Sequence, residues 1–165
     1  MEGVVDAARK KVNSKCVKQA MRESGCSVSL KDVPRKRLIV GCNCPSLFKP
    51  DETHCDYLFF ADVPGRESCV TPVELKRGGV RPSEVIAQLQ AGARAAEKII
   101  PQNSKIHFLP VLASGELSKK QRLELRKSRN KIRFRNTSVL VSRIRCGAPL
   151  VEAIGKACAM KSRWQ

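Results

Sequence analysis

The sequences CDYLFF at residues 55–60 and VELK at residues 73–76 are two strand-like runs, and the turn signal Pro64-Gly65 lies between them. Their apolar, aromatic and β-branched residues favour strands, and the turn predicts that the two strands pair as an antiparallel hairpin. In such a hairpin the start of the first strand lies opposite the end of the second. We therefore expect Asp56 to lie close to Glu74.

The spacing of apolar residues on either side of this hairpin predicts one α/β domain. Val85 and Leu89 recur at helical spacing after Pro82, and Ser118 with Gln121 forms a capping box. The predicted helices span residues 4–23 (closed by Gly25), 82–101, 118–129 and 148–160. The predicted strands span residues 38–40, 57–61, 69–75, 106–109, 131–134 and 138–144. We expect a single domain over 1–165, with a core at about 5–110, a basic helix and strands at about 117–146 and a C-terminal helix at about 148–160.

The charge of the chain indicates a polyanionic partner. Its 165 residues include 32 Lys and Arg against 15 Asp and Glu, a formal net charge of +17. Self-repulsion of this size destabilises a compact fold unless an anion is bound, and nucleic acid is the leading candidate. The composition, 42% hydrophobic and 28% charged, is that of a globular protein. No helix pairs a basic face with a bulky apolar one, so we expect no membrane partner.

A one-sided basic segment follows the predicted helix start at Ser118. Glu124 is its single acidic residue, and Phe134 is its single aromatic residue. The excess of cations favours contacts with the phosphate backbone, whereas one aromatic ring does not form a base-stacking platform. The predicted nucleic-acid-binding residues are Lys119, Lys120, Arg122, Arg126, Lys127, Arg129, Lys131, Arg133 and Arg135.

The N-terminal sequence has neither a basic leader nor a long apolar run, which predicts an intracellular, cytoplasmic protein. In a reducing compartment the eight cysteines are expected to be free thiols. Cys42, Cys44, His54 and Cys55 have the chemistry of a zinc site, but their spacing differs from the usual Cys-x₂-Cys. Whether they bind a metal stays open from the sequence.

Glu74 and Lys76 point to the same face of their strand, because strand side chains alternate. They form the only Glu-x-Lys or Asp-x-Lys pattern in the chain. With Asp56 opposite, two carboxylates and the Leu75 carbonyl offer oxygen ligands to Mg²⁺, while Lys76 can orient a water or stabilise developing charge. The alternative is an ordinary solvated ion pair at a strand end.

Residues CDYLFF, then VELKRG at 73–78, then a helix carrying Gln88, resemble the PD-(D/E)XK, or restriction-endonuclease-like, phosphodiesterase superfamily. The resemblance implies a mixed central β-sheet flanked by helices and Mg²⁺-dependent hydrolysis of nucleic acid. It implies that Asp56 and Glu74 hold the metal, that Lys76 serves the attacking water and that Gln88 supports the site from the helix.

Three positions are less clear from the resemblance. The glutamate that some members carry on the first helix corresponds to Glu23 or is absent. Asp62 is a rival to Asp56, although it lies at the far end of the hairpin from Glu74. Pro72 lacks a backbone N–H and therefore predicts that the second strand is at a sheet edge or has a bulge.

The sequence thus predicts a Mg²⁺-dependent nuclease, with Mn²⁺ as the alternative metal and DNA favoured over RNA. The rival hypothesis is a non-catalytic nucleic-acid-binding or assembly protein with a nuclease-like fold. A third, weaker interpretation is a basic structural protein with no metal dependence. The choice between endonuclease and exonuclease, and the pairing of two copies as a homodimer, stay open.

Overall fold

The computed structural model describes residues 2–155 and shows an α/β fold built on a mixed seven-stranded sheet. The helices in this range are α1 (Val4–Lys11), α2 (Pro82–Ile99), α3 (Lys119–Leu125) and α4 (Val151–Ile154). The strands are β1 (Val17–Lys18), β2 (Met21–Glu23), β3 (Cys26–Val28), β4 (Arg37–Gly41), β5 (Tyr57–Ala61), β6 (Ser68–Lys76), β7 (Ile106–Phe108), β8 (Val111–Ser114), β9 (Ile132–Phe134), β10 (Thr137–Val139) and β11 (Ser142–Arg145).

The main sheet has the strand order β1-β4-β5-β6-β8-β11, and β7 pairs with the first half of β6. Strands β1, β4, β5 and β6 pair antiparallel, whereas β6, β7, β8 and β11 pair parallel. Two separate hairpins, β2–β3 and β9–β10, lie outside this sheet. The predicted α/β class and hairpin β5–β6 are confirmed.

The register of β5 against β6 assigns the side chains to two cores. Tyr57 pairs with Val73, and Ala61 pairs with Cys69. Leu58 and Phe60 are buried in the core that also contains residues of α1 and α2, while Phe59 is buried in the opposite core with residues of β3 and α4. Because both faces are covered, a shift of one residue in this register would exchange the two sets.

Helix α2 lies close to the sheet beside the start of β5. A Cβ atom at Gly92 would be 2.5 Å from Cys55 Sγ and 3.0 Å from Pro72 Cβ, so only glycine permits this approach without a shift. Leu89 and Ala93, on either side of Gly92, are completely buried. The glycine therefore positions the helix over the end of the hairpin that carries Asp56.

Asp62 lies at the N-terminus of α1 and substitutes for a local cap. Gly3 has no side chain to cap the helix, and the Asp62 carboxylate accepts hydrogen bonds from the Val4 and Val5 N–H groups at 3.0 and 3.2 Å. Ser68 Oγ donates to the same carboxylate at 2.8 Å. The carboxylate satisfies two of the unpaired N–H groups of the helix start. A structural role thus accounts for Asp62.

The predicted helix over residues 4–23 is too long, because α1 ends at Lys11. The chain instead supplies Val17 and Lys18 as the edge strand β1, paired with Val40 and Ile39 of β4. Gly25 closes the β2–β3 hairpin rather than a helix, with a φ of 81°. Apolar spacing alone did not distinguish a long helix from a short one followed by edge strands.

The predicted helix over 82–101 is confirmed by α2, and Ser118 and Gln121 form the expected capping box of α3. The predicted strand over 138–144 is wrong, because β10 ends at Val139 and β11 begins at Ser142. Strand β8 was not predicted. Residues 156–160 of the predicted C-terminal helix lie outside the described residues.

Pro72 lies inside the sheet and not at its edge, contrary to the sequence prediction. It pairs with Leu58 of β5 on one side. On the other side, β7 pairs with β6 only as far as Val70, and β8 begins its pairing at Val73. The missing N–H therefore coincides with a break between two neighbouring strands, where no ladder hydrogen bond is required.

The prediction of free thiols is wrong for four cysteines. Cys16 is bonded to Cys44, and Cys26 is bonded to Cys146. Disulfides of this kind persist in oxidising environments, so the two bonds hint at an extracellular or oxidising location instead of the predicted cytoplasmic one. None of the helices in the described range is long and apolar enough to cross a membrane.

We predict that Asp62→Ala lowers the free energy of unfolding by about 1–2 kcal/mol, because two N–H groups of α1 lose their acceptor. Urea denaturation followed by circular dichroism measures the change. Glu67→Ala is the matched control, since Glu67 is exposed in the same β5–β6 connection, and it should change stability by less than about 0.5 kcal/mol. Equal stability of the two variants would contradict the capping role.

Candidate active site

The ends of β5 and β6 are joined by a reciprocal pair of hydrogen bonds. The Asp56 N–H donates to Glu74 Oε1 at 3.0 Å, and the Leu75 N–H donates to Asp56 Oδ2 at 2.8 Å. Each carboxylate is thus fixed by a backbone N–H group of the other strand. Asp56 and Glu74 are consequently brought together by the strand register, as the hairpin predicted, before any metal or substrate is present.

Glu74 is almost completely buried, with 1% of its surface exposed. Lys76 Nζ lies 3.4 Å from Glu74 Oε2 and 3.6 Å from Glu84 Oε1 of α2. The lysine side chain remains 27% exposed, and its ammonium group therefore lies between a buried and a solvent-accessible carboxylate. This geometry places a cation where the buried carboxylate meets solvent.

The pKa of Glu74 is raised from 4.5 to about 8, chiefly by burial and then by the neighbouring Asp56 carboxylate. Lys76 acts in the opposite direction but does not compensate. A second positive charge at this position would favour ionised Glu74, because an opposite charge within a few ångströms stabilises the charged form. The side chains of the site therefore do not balance the negative charge of an ionised Glu74.

These residues line an open cleft of about 690 Å³ between the end of the hairpin and the start of α2. Gln88, on α2, also lines the cleft, and its Oε1 atom is buried without a hydrogen-bond partner among the described residues. A buried polar atom without a partner costs free energy and indicates a missing ligand or water. All four predicted residues, Asp56, Glu74, Lys76 and Gln88, thus border one cleft.

Glu84, His54 and Glu23 are among the further polar residues that line the cleft. Glu84 is one helical turn before Gln88 and also lines the cleft. Residues four apart lie on the same face of a helix, so the sequence spacing could have identified Glu84 as a residue of the cleft. His54 donates from Nδ1 to its neighbour, the Cys55 carbonyl, at 2.8 Å, which leaves Nε2 as an acceptor when the ring is neutral. Glu23 lines the cleft from strand β2, not from a helix, and receives a hydrogen bond from Tyr57 Oη.

The four residues of the possible zinc site are not arranged to bind a metal. Cys44 is in a disulfide, and Cys42 and Cys55 face each other with their Sγ atoms 3.6 Å apart. The contact with Cys55, followed by burial, raises the pKa of the Cys42 thiol well above its ordinary value, so the thiol stays protonated. Within residues 2–155, no group of three or more His, Cys, Asp or Glu residues could hold a metal ion. A metal in the cleft would thus have two carboxylates and complete its shell with neutral oxygens and waters.

The predicted basic segment adjoins the cleft through the loop after β6. Gln121 of α3 donates to the Val80 carbonyl at 2.8 Å, and the Gly115 N–H donates to the Lys76 carbonyl at 3.3 Å. Arg77 of the same loop lines the cleft. Helix α3, which carries exposed cations, is therefore joined to the loop that forms one rim of the site.

The nine basic residues of this segment fall into two groups. Arg122 donates to a backbone carbonyl, Lys127 and Arg129 pair with Glu124, and Arg135 donates to the carbonyls of Pro101 and Ser104. The side chains of the other five make no hydrogen bond or ion pair within the described part of the chain, and all five are exposed. These five are Lys119, Lys120, Arg126, Lys131 and Arg133. They form the part of the segment that is available to a polyanion.

We predict that Glu74→Gln stabilises the metal-free protein above neutral pH. The folded-state pKa of about 8 lies above the ordinary value of 4.5, so the wild-type protein loses stability as the pH rises between these values. The glutamine keeps an acceptor for the Asp56 N–H but carries no charge. In chelator at pH 8.5 the variant should melt at least about 3 °C higher than wild type, and near pH 4 the difference should disappear.

Thermal denaturation at several pH values measures this effect, and Glu67→Gln is the exposed control that should melt like the wild type throughout. A Glu74→Gln variant that melts below wild type at pH 8.5 would show that ionised Glu74 is stabilised by its surroundings.

Comparison with protein-family models, with curated proteins and with solved structures finds no significant match to this chain. The function must therefore be argued from the geometry of the cleft.

Proposed function

We propose that this protein is a Mg²⁺-dependent nuclease of restriction-endonuclease-like fold that hydrolyses phosphodiester bonds of nucleic acid, with DNA preferred over RNA. The observation that supports it best is the arrangement of Asp56, Glu74 and Lys76 at one strand end, in an open cleft. The order of an antiparallel hairpin, a helix and a parallel strand in β5, β6, α2 and β8 also fits the resembled superfamily.

The residues of the cleft fit Mg²⁺ on three grounds. Asp56 and Glu74 supply hard oxygen ligands, and Mg²⁺ typically takes one or two carboxylates and keeps several waters. The raised pKa of Glu74, caused by burial and by Asp56, indicates a carboxylate whose charge Lys76 does not fully balance. The partnerless Gln88 Oε1 offers a neutral oxygen on the same side. When bound, the metal would polarise the scissile phosphate and acidify a water. Mn²⁺ satisfies the same ligand chemistry.

We assign to Lys76 the role of orienting the attacking water. Its ammonium group is partly exposed to the cleft and is held by Glu74 on one side and Glu84 on the other. A cation fixed in this way can orient a water by hydrogen bonding and stabilise negative charge that develops on phosphate oxygens. Glu84 holds the lysine at the mouth of the cleft. The two carboxylates therefore position Lys76 while its ammonium group stays partly exposed to solvent.

Charge supports this substrate class. The net charge of +17 and the five exposed cations of the basic segment favour a polyanion over a small neutral substrate. The substrate backbone would run from the cleft across the loop at Arg77 towards α3. Homodimer formation is a further proposal that this geometry does not require.

We predict that Lys76→Ala and Glu74→Gln each lower the cleavage rate by at least about a hundredfold while binding is retained, because each removes a group that acts on the reacting phosphate or water. Cleavage of supercoiled, linear, branched and single-stranded DNA, and of RNA, is measured with Mg²⁺, with Mn²⁺ and with chelator. Lys98→Ala and Glu67→Gln are exposed controls that should cleave like the wild type.

If the wild-type protein binds nucleic acid but cleaves none of these substrates with either metal, the nuclease proposal fails. The protein is then a non-catalytic nucleic-acid-binding or assembly protein. If it neither binds nor cleaves, the proposal of a nucleic-acid substrate fails as well.

We also predict that replacing Lys119, Lys120 and Arg126 by Gln weakens DNA binding without sequence preference. Each lost phosphate contact releases about 0.9 fewer counterions, so the slope of log affinity against log salt should become shallower by about 2.7 units. Fluorescence anisotropy in chelator measures the slope. The control variant Lys31→Gln, Lys98→Gln, Lys105→Gln removes three exposed cations elsewhere, and an equal change in both variants would show that only net charge matters.

A further inference from the structure

A second basic concavity lies at the β1 edge of the sheet, away from the catalytic cleft. Its volume is about 320 Å³, and four cationic side chains line it: Arg9 from α1, Lys18 from β1, and Arg35 and Arg37 at the start of β4. We call it the edge pocket. The remaining lining comes from neutral residues of β1 and β4 and from Gln19. Cations from three separate elements therefore converge on one concave surface.

No carboxylate lines the edge pocket, and the nearby acids are engaged elsewhere. Lys36, between the two arginines in sequence, pairs with Asp6 at 2.8 Å and with Asp62 at 3.8 Å. Asp62 also accepts the N–H groups at the start of α1. Lys36 thus pairs with the nearby carboxylates. The cations of the edge pocket are left without carboxylate partners in the described residues.

Such a cluster is unfavourable in the free protein. Like charges held on one concave surface repel each other, and a pocket with low-dielectric walls concentrates their field. Arginine forks match phosphate oxygens in geometry and bind them through two parallel hydrogen bonds. The pocket is therefore suited to an anion that carries several oxygens, such as a phosphate group.

The edge pocket and the cleft are close enough to contact one duplex. Lys18 pairs with Ile39, which pairs with Phe59, three residues along β5 from Asp56. Two strand spacings across the sheet and three residues along it give roughly 14 Å between Lys18 and Asp56. Arg37, opposite Ala61, is five residues along β5 from Asp56. Base pairs rise about 3.4 Å along the duplex axis, so a duplex of about 12 base pairs is roughly 40 Å long and can cover both sites.

We propose that the edge pocket binds a backbone phosphate of the same nucleic acid whose scissile bond the cleft addresses. The substrate is then held on two sides of the cleft, by the edge pocket and by the exposed cations of α3. This proposal rests on nucleic acid as the substrate but not on its cleavage, and its test is a binding measurement without metal.

The test compares two variants that each lose three positive charges. The pocket variant is Lys18→Gln, Arg35→Gln, Arg37→Gln, and the control variant is Lys31→Gln, Lys98→Gln, Lys105→Gln. For duplexes of at least 12 base pairs in chelator, the pocket variant should have a salt slope shallower by about two to three units than wild type. The control variant should change the slope by less than about one unit. Because Arg37 donates to the Pro34 carbonyl, the double variant Lys18→Gln, Arg35→Gln is measured as well and should lose about two units.

A second arm distinguishes a backbone phosphate from a free phosphorylated ligand. Pyrophosphate is added to each protein, and the melting temperature is recorded. If the salt slope for DNA is unchanged in the pocket variant while stabilisation by pyrophosphate is lost, the pocket holds a free anion and the proposal is overturned. Equal slope changes in the pocket and control variants would also overturn it, since net charge alone would then explain binding. Wild-type protein that binds DNA but does not cleave it leaves this outcome unaffected, so failure of the nuclease proposal is distinguishable from failure of this one.

Discussion

The pairing of β5 with β6 is the constraint on which the rest of this structure depends. Tyr57 opposite Val73 places Asp56 beside Glu74, and each carboxylate then accepts a backbone N–H group of the other strand. The same register separates the two cores, because alternate side chains of both strands are buried on opposite faces. A shift of one residue would therefore bury the wrong set of side chains and dismantle the cleft at the same time.

The site is costly to the fold that carries it. Glu74 is buried beside another carboxylate, and both burial and that neighbour raise its pKa, so keeping it ionised costs the fold free energy. Gln88 adds a buried oxygen without a partner. Close packing of α2 at Gly92, and apolar cores on both sides of the sheet, offset this cost. Perturbed pKa values cluster at functional sites, where burial and neighbouring charges shift them.

The two disulfides act at the borders of the fold, away from the hairpin. Cys16–Cys44 links the segment before β1 to the loop after β4, and Cys26–Cys146 links the β2–β3 hairpin to the end of β11 across 120 residues. Closing so long a loop removes about 4–5 kcal/mol of entropy from the unfolded chain in the simple chain model. The second bond also secures the hairpin that brings Glu23 to the cleft. These covalent links offset the mutual repulsion of a strongly basic chain, and they suit an oxidising environment.

The sequence by itself determined the central hairpin, helix α2 and the identity of the four residues around the cleft. Each depends on a local signal: apolar runs ended by a turn, helical spacing after a proline, or a single Glu-x-Lys at a strand end. Tertiary structure decided the rest. The early helix stops at Lys11 because Val17 and Lys18 find partners in β4, and Pro72 is tolerated inside the sheet because β7 gives way to β8 beside it. The remaining features join residues that are far apart in the chain. They are the cysteine pairs, the role of Asp62, the position of Glu84 at the cleft and the grouping of cations in the edge pocket. No local pattern encodes such contacts, because they depend on how the elements pack and not on which elements form.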